Sequence, residues 1–199
     1  MLKIFDNHIP ESLRKELVYD QEYQDKQMQV YTFWDFKYFD YPRTKIQEAL
    51  HFIWKDIINP SDYPDGGIEW WINKSKGSAK GIWHLDLVEA EKMKETHPAL
   101  YSVAYYPYID CVGGYLELVD NKERPTKQEF KEILRGLDPS IQVERIKPQT
   151  NRAVFYSSDR IHRVSRVYSG FRECLASSVW TKKPLTFNNK SSYNMDEGI

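Results

Sequence analysis

The chain has 199 residues, enough to bury one sizeable core and too few to make two ordinary domains the expectation. Its 28 basic and 29 acidic side chains nearly cancel, so neither a nucleic-acid-binding face nor a polybasic membrane patch is expected. Cys111 and Cys174 are too few for a disulfide framework, and no apolar run has the length of a signal sequence or membrane span, so a reduced, cytoplasmic protein is the expectation.

In chain order, Leu2 to Asn7 reads as a short strand. Pro10-Glu11-Ser12 then leads into a helix with Leu13, Leu17 and Val18 on one side. Met28 to Phe39 alternates as an extended segment, with Met28, Val30, Thr32, Trp34, Phe36 and Tyr38 on the face expected to be buried. Ile46, Leu50, Ile53, Trp54 and Ile57 form the apolar stripe of a second helix that Asn59-Pro60 ends, and His51 lies off that stripe as a surface or packing residue. Beyond Asp65-Gly66-Gly67 come short strands at Ile68 to Asn73, Ile82 to Leu87, Leu100 to Tyr106 and Gly114 to Val119. Thr126-Lys127-Gln128-Glu129 is a capping box that opens an amphipathic helix carrying Phe130, Ile133, Leu134 and Leu137, inserted between strands. Strands resume at Gln142 to Ile146, Ala153 to Tyr156, His162 to Val167 and Phe171 to Trp180, and the tail from Asn188 is polar and without period.

The chemistry centres on Trp83-His84-Leu85-Asp86-Leu87. In a strand, residues two apart project from one face, so His84 and Asp86 point together while Trp83, Leu85 and Leu87 pack behind them. On a helix they would diverge by roughly 200°. The pair alone is a weak motif and needs a third ligand. His162, which opens a strand after the turn Ser157-Ser158-Asp159-Arg160, is the best candidate. Two neutral imidazoles and a carboxylate on one face of a metal leave the opposite positions open, the arrangement suited to non-haem Fe(II) oxygenases.

Further on, alternation from Phe171 to Trp180 puts Arg172, Cys174, Ala176, Ser178 and Trp180 on one face and Leu175 and Val179 on the other. An arginine facing inward is costly unless an anion meets it, and either a ligand carboxylate or a structural Asp or Glu would serve.

Taken together, His84-x-Asp86, the run Val112-Gly113-Gly114-Tyr115-Leu116-Glu117-Leu118, Pro148, the Asn151 to Tyr156 strand, His162-Arg163-Val164 and Gly170-Phe171-Arg172 up to Trp180 resemble the iron(II)- and 2-oxoglutarate-dependent dioxygenases, in their prolyl-4-hydroxylase-like branch. The likeness spans about residues 68 to 180 and rests on order and spacing together. It implies a mostly β protein with flanking helices, a double-stranded β-helix (a jelly-roll, cupin-like barrel) supported by the N-terminal helices. A single domain over 1–199 would divide into support at about 1–65, a barrel core at about 66–182 and a polar tail at 183–199. The resemblance further implies that His84, Asp86 and His162 bind Fe(II), and that Arg172, with Tyr106 beside it, holds the distal carboxylate of 2-oxoglutarate. Trp71 and Trp180 are candidates for the substrate pocket, although Trp180 lies farther from Arg172 than the family's usual spacing. O2 and ascorbate accompany the implied cofactor set.

The activity so implied is hydroxylation of an unactivated C–H bond of a prolyl or other residue in a protein or peptide, with release of succinate and CO2. The same chemistry on a free amino acid or small metabolite is the alternative. Two readings of other classes stand beside it: a zinc hydrolase or lyase on the same three ligands, and a non-catalytic ligand-binding barrel. A nucleic-acid demethylase would usually carry a second arginine soon after the first, and Glu173 to Trp180 contains none. The expected partners are therefore a small-molecule co-substrate and a protein or amino-acid substrate, with no nucleic acid and no membrane.

Overall fold

The computed structural model describes residues 1–26, 31–77, 81–85, 99–119 and 142–184. Ten strands are present among them: β1 (Leu2–Phe5), β2 (Thr32–Asp35), β3 (Gly67–Lys76), β4 (Ala99–Tyr106), β5 (Ile109–Gly113), β6 (Leu116–Val119), β7 (Val143–Ile146), β8 (Arg152–Ser157), β9 (His162–Val164) and β10 (Val167–Trp180). They form two antiparallel sheets, a larger one ordered β1-β8-β4-β10-β3-β2 with β5 paired to β10, and a smaller one ordered β7-β6-β9. No described helix is long and apolar enough to cross a membrane.

Strand alternation divides the core in two. On the outer face of the larger sheet, Ile72, Val103, Tyr105, Phe155, Leu175 and Val179 pack against Leu17 of α1 (Glu11–Tyr19) and Leu50, Ile53 and Trp54 of α3 (Lys45–Trp54). Its inner face turns Trp71, Ala104, Tyr106, Val154, Tyr156, Cys174 and Ala176 toward Leu116, Leu118 and Ile146 of the smaller sheet. Neighbouring Trp70 and Trp71 thus enter different cores. The result is a two-sheet β-barrel whose back is covered by the N-terminal helices, and the Trp54 indole N–H fastens α3 to β10 by donating to the Ser177 hydroxyl at 2.9 Å.

Several expected boundaries move. The segment expected to be extended as far as Phe39 leaves the sheet after Asp35 and turns through a 3₁₀ helix at Phe36–Tyr38, because Phe36 and Phe39 must both reach the helix-side core. The second helix ends at Trp54, three residues before the stripe does. A five-residue helix α2 (Gln21–Asp25) was not legible, since it buries one apolar side chain, Tyr23, and has no period to read. Ile82 was expected to open a strand, yet within 81–85 only His84 makes a ladder contact, a single bridge to His162. β5 was missed, and the strand expected from Gly114 begins at Leu116. The strand expected to run on from His162 to Val167 ends at Val164, while β10, expected from Phe171, starts at Val167 and passes through Gly170 (φ 79°). The helix expected from Thr126 and the tail from Asn188 lie outside the described residues.

Candidate active site

His84 and His162 meet across their bridge, each backbone N–H donating to the other's carbonyl at 2.9 Å, with ring centroids 4.2 Å apart. Both rings are aimed by the backbone two residues upstream. His84 Nδ1 lies 2.9 Å from the Ile82 carbonyl and His162 Nδ1 lies 3.0 Å from the Arg160 carbonyl. A carbonyl only accepts, so each Nδ1 carries a proton, and in the neutral ring the lone pair is then on Nε2, the tautomer that ligates a metal through Nε2. The His162 ring packs 5.0 Å from that of Tyr156, on the inner wall of the barrel. Asp86, the expected carboxylate ligand, lies outside the described residues, and among the described residues no group of three potential ligands forms.

Arg172 enters the same interior from β10. Its side chain is 1% exposed, its Nε donates to the Gly114 carbonyl at 3.1 Å, and its guanidinium lies 4.9 Å over the Tyr106 ring with one amino group 3.4 Å from the Tyr106 hydroxyl. Gly114 adopts φ 67°, and a Cβ there would come within 3.0 Å of the Arg172 side chain, so this carbonyl reaches the arginine because the residue is glycine. Burial pushes the Tyr106 hydroxyl up to about 12 although Arg172 pulls it down, so it stays a neutral donor. Burial also raises the thiols of Cys174 and Cys111, so neither supplies a negative charge. Among the described residues no carboxylate pairs with Arg172. Of the two readings left open by the sequence, the structural ion pair is thus the less supported.

The chain matches no protein-family model, and no curated protein sequence matches it. Solved structures do. A Pseudomonas putida prolyl-4-hydroxylase superposes with a TM-score of 0.60 at 12% identity, over 92% of this chain and 93% of that one. A truncated form of the viral collagen prolyl hydroxylase of Paramecium bursaria Chlorella virus-1 gives 0.55 at 12% identity, over 92% and 90%. The fold is that of the prolyl hydroxylases. A Trichoplax adhaerens prolyl hydroxylase, solved with a peptide fragment of the hypoxia inducible factor oxygen degradation domain, gives 0.51 at 15% identity over 90% and 83%.

Within this prolyl-hydroxylase fold the remaining expected site residues separate. Trp71 is on the inner wall with Tyr106, and its ring lies 5.1 Å from that of Tyr31, which is 41% exposed. Trp180 is eight residues along β10 from Arg172 (172 to 180), in a separate buried group with Ala99 that Phe33 and Leu85 pack against. Its indole N–H donates to Glu69 at 2.8 Å. Leu85 ties that group to the His84 segment. Sequence reasoning gave no role to Tyr156, to the aiming carbonyls of Ile82 and Arg160, or to the Gly114 carbonyl. Only the Val112-Gly113-Gly114 run carried a signal, as paired glycines mark a backbone of unusual φ.

Proposed function

We propose that the chain is an Fe(II)- and 2-oxoglutarate-dependent dioxygenase that hydroxylates a C–H bond of a prolyl or other amino-acid residue in a protein or peptide. The observation that carries this reading is Arg172, a buried guanidinium with no carboxylate partner among the described residues, in the same barrel as a ring-to-ring histidine pair. A permanent charge so placed calls for an anionic ligand, and its planar fork matches a carboxylate.

His84, Asp86 and His162 would hold the metal, and the Nδ1 bonds of both histidines present the lone pairs it needs. With 2-oxoglutarate and O2, the bound iron supplies oxidation of C–H to C–OH, with release of succinate and CO2. Arg172 and the Tyr106 hydroxyl bind the distal carboxylate and so orient the co-substrate along the barrel. Ala104 and Ala176 leave room for it on the inner face, while Trp71, Leu116, Leu118 and Val154 keep that space apolar and poor in water. The likeness in fold to prolyl hydroxylases, one of them solved with a peptide, supports a residue within a polypeptide as the substrate.

The test is anaerobic titration with Fe(II) and 2-oxoglutarate, followed by a screen of prolyl and other peptides, with free amino acids alongside, for stimulated succinate release. Stoichiometric binding of both and stimulation by a peptide are expected. Failure of 2-oxoglutarate to bind in the presence of Fe(II), or hydrolysis of a substrate with Zn(II) and no O2 uptake, would overturn the assignment.

A further inference from the structure

The outer side of the smaller sheet, behind the histidine pair, carries one continuous row of side chains. Leu116 and Leu118 point into the barrel, so Glu117 between them points out, and it is nevertheless 5% exposed. Its Cα partners are Arg145 on β7 and Arg163 on β9. The carboxylate divides between them: Oε1 lies 2.9 Å from Arg145 Nε, and Oε2 lies 2.6 Å from Arg163 Nε. The row does not stop at β9. One step from the antiparallel bridge of His84 and His162, Trp83 stands opposite Arg163, whose guanidinium lies 4.2 Å from the centre of the indole.

This row matters because, among the described residues, segment 81–85 is otherwise held only by Leu85, packed against Ala99 and Trp180, and by two backbone attachments. Among the described residues its backbone is joined to the sheet by the His84–His162 bridge and by one further bond, Gly81 N–H to the Val164 carbonyl at 3.0 Å. A segment with a single ladder bridge and one further backbone bond is only partly fixed, and the neighbours of the bridge help to decide which way its side chains face. On the inner side stands His84. On the outer side Trp83 lies under Arg163, whose Nε is held by Glu117.

Resting on the proposed metal site, we infer that Arg163 is a positioning residue for the metal. Glu117 fixes Arg163, Arg163 clamps Trp83 from outside the barrel, and the clamp sets the direction of His84 within it. Glu117, Arg163 and Trp83 lie on the outer side of the sheet and are not among the residues that would hold the metal. The sequence places Trp83 and Arg163 each directly beside a ligating histidine, His84 and His162, so the clamp is built from the outward neighbours of the two ligands.

Binding of Mn(II) alone to the full chain, by calorimetry, tests this, with Co(II) absorption spectra to read ligand geometry. Arg163→Ala is expected to weaken Mn(II) binding by about tenfold, in the range found when groups that orient metal ligands are removed. Arg163→Lys, which keeps a cation over Trp83, recovers most of the loss, and Glu117→Gln loses part of it. Trp83→Ala matches Arg163→Ala, Trp83→Phe retains most of the affinity, and the double variant Arg163→Ala/Trp83→Ala is no worse than either single one. The Co(II) spectrum changes in the alanine variants and returns in Arg163→Lys. Wild-type affinity in Arg163→Ala, or additive losses in the double variant, would overturn the clamp while leaving the metal site intact. A wild-type protein that binds neither Mn(II) nor Co(II) would remove the metal site itself and the clamp with it.

Discussion

His84 and His162 are joined by one antiparallel bridge that lines up both imidazoles on the barrel interior, 4.2 Å between ring centroids, although 78 positions separate them in the chain (84 to 162). Each ring hangs from a carbonyl two residues earlier, so neither depends on the other for its orientation. His84→Ala and His162→Ala are each expected to reduce Fe(II) affinity by at least ~100-fold in anaerobic titration, while the circular dichroism spectrum stays that of the parent. Metal binding that survives either substitution would show that the pair is not a ligand set.

Arg172 is expected to separate stability from function. A guanidinium held by a carbonyl and a phenol, with no carboxylate partner among the described residues, bears a desolvation cost that a bound anion relieves. Arg172→Met should therefore leave the melting temperature of the ligand-free protein unchanged or raise it. The same change should weaken 2-oxoglutarate binding by ~100-fold or more, about 3 kcal/mol, with the metal still bound. Tyr106→Phe should cost about tenfold, as expected for one hydrogen bond to a charged group. Calorimetry on the metal-loaded protein reads both, and unchanged affinity in Arg172→Met would refute the role given to that residue.

Trp54 and Ser177 report on the union of helix and barrel. The bond between them, 2.9 Å long, is buried, and Trp54→Phe would leave the Ser177 hydroxyl without its partner. A loss of about 1–3 kcal/mol in urea unfolding is expected, with 2-oxoglutarate affinity unaltered because Ser177 faces away from the inner wall. A parallel loss of affinity would mean that α3 shapes the site directly.

His8 sets a pH dependence of stability. Burial lowers its imidazole below the ordinary value of 6.5, against a weaker opposing effect from the Ile53 carbonyl, 3.3 Å from its Nε2. Its ring is stacked 5.2 Å from Phe5 and edge-on 5.4 Å from Phe155. With the folded value depressed, the unfolded chain takes up the proton first. The contribution of His8 is therefore complete above about pH 6.5 and is lost as pH falls from there through the folded value. Urea midpoints at pH 7.5 and pH 5.5 should show a smaller acid loss in His8→Gln than in the parent. Equal losses in both would assign the acid sensitivity to other groups.

The elements with a regular period were legible in the sequence. Leu50, Ile53 and Trp54 repeat at helical spacing because one stripe must meet the sheet, and the alternation from Arg172 to Trp180 divides inner from outer face as expected, with Cys174 and Ala176 inside and Leu175 and Val179 outside. Spacing and order single out His84 and His162 as candidates in the sequence, and the cost of an inward-facing arginine singles out Arg172. Only the tertiary structure decided what those residues meet. That the two histidines share a bridge, that the Gly114 carbonyl and the Tyr106 hydroxyl attend Arg172, and that Glu117, Arg163 and Trp83 form one row behind the site all depend on strand register. Register is fixed by the simultaneous packing of both faces of every strand, a property of the assembled sheets that no single segment carries.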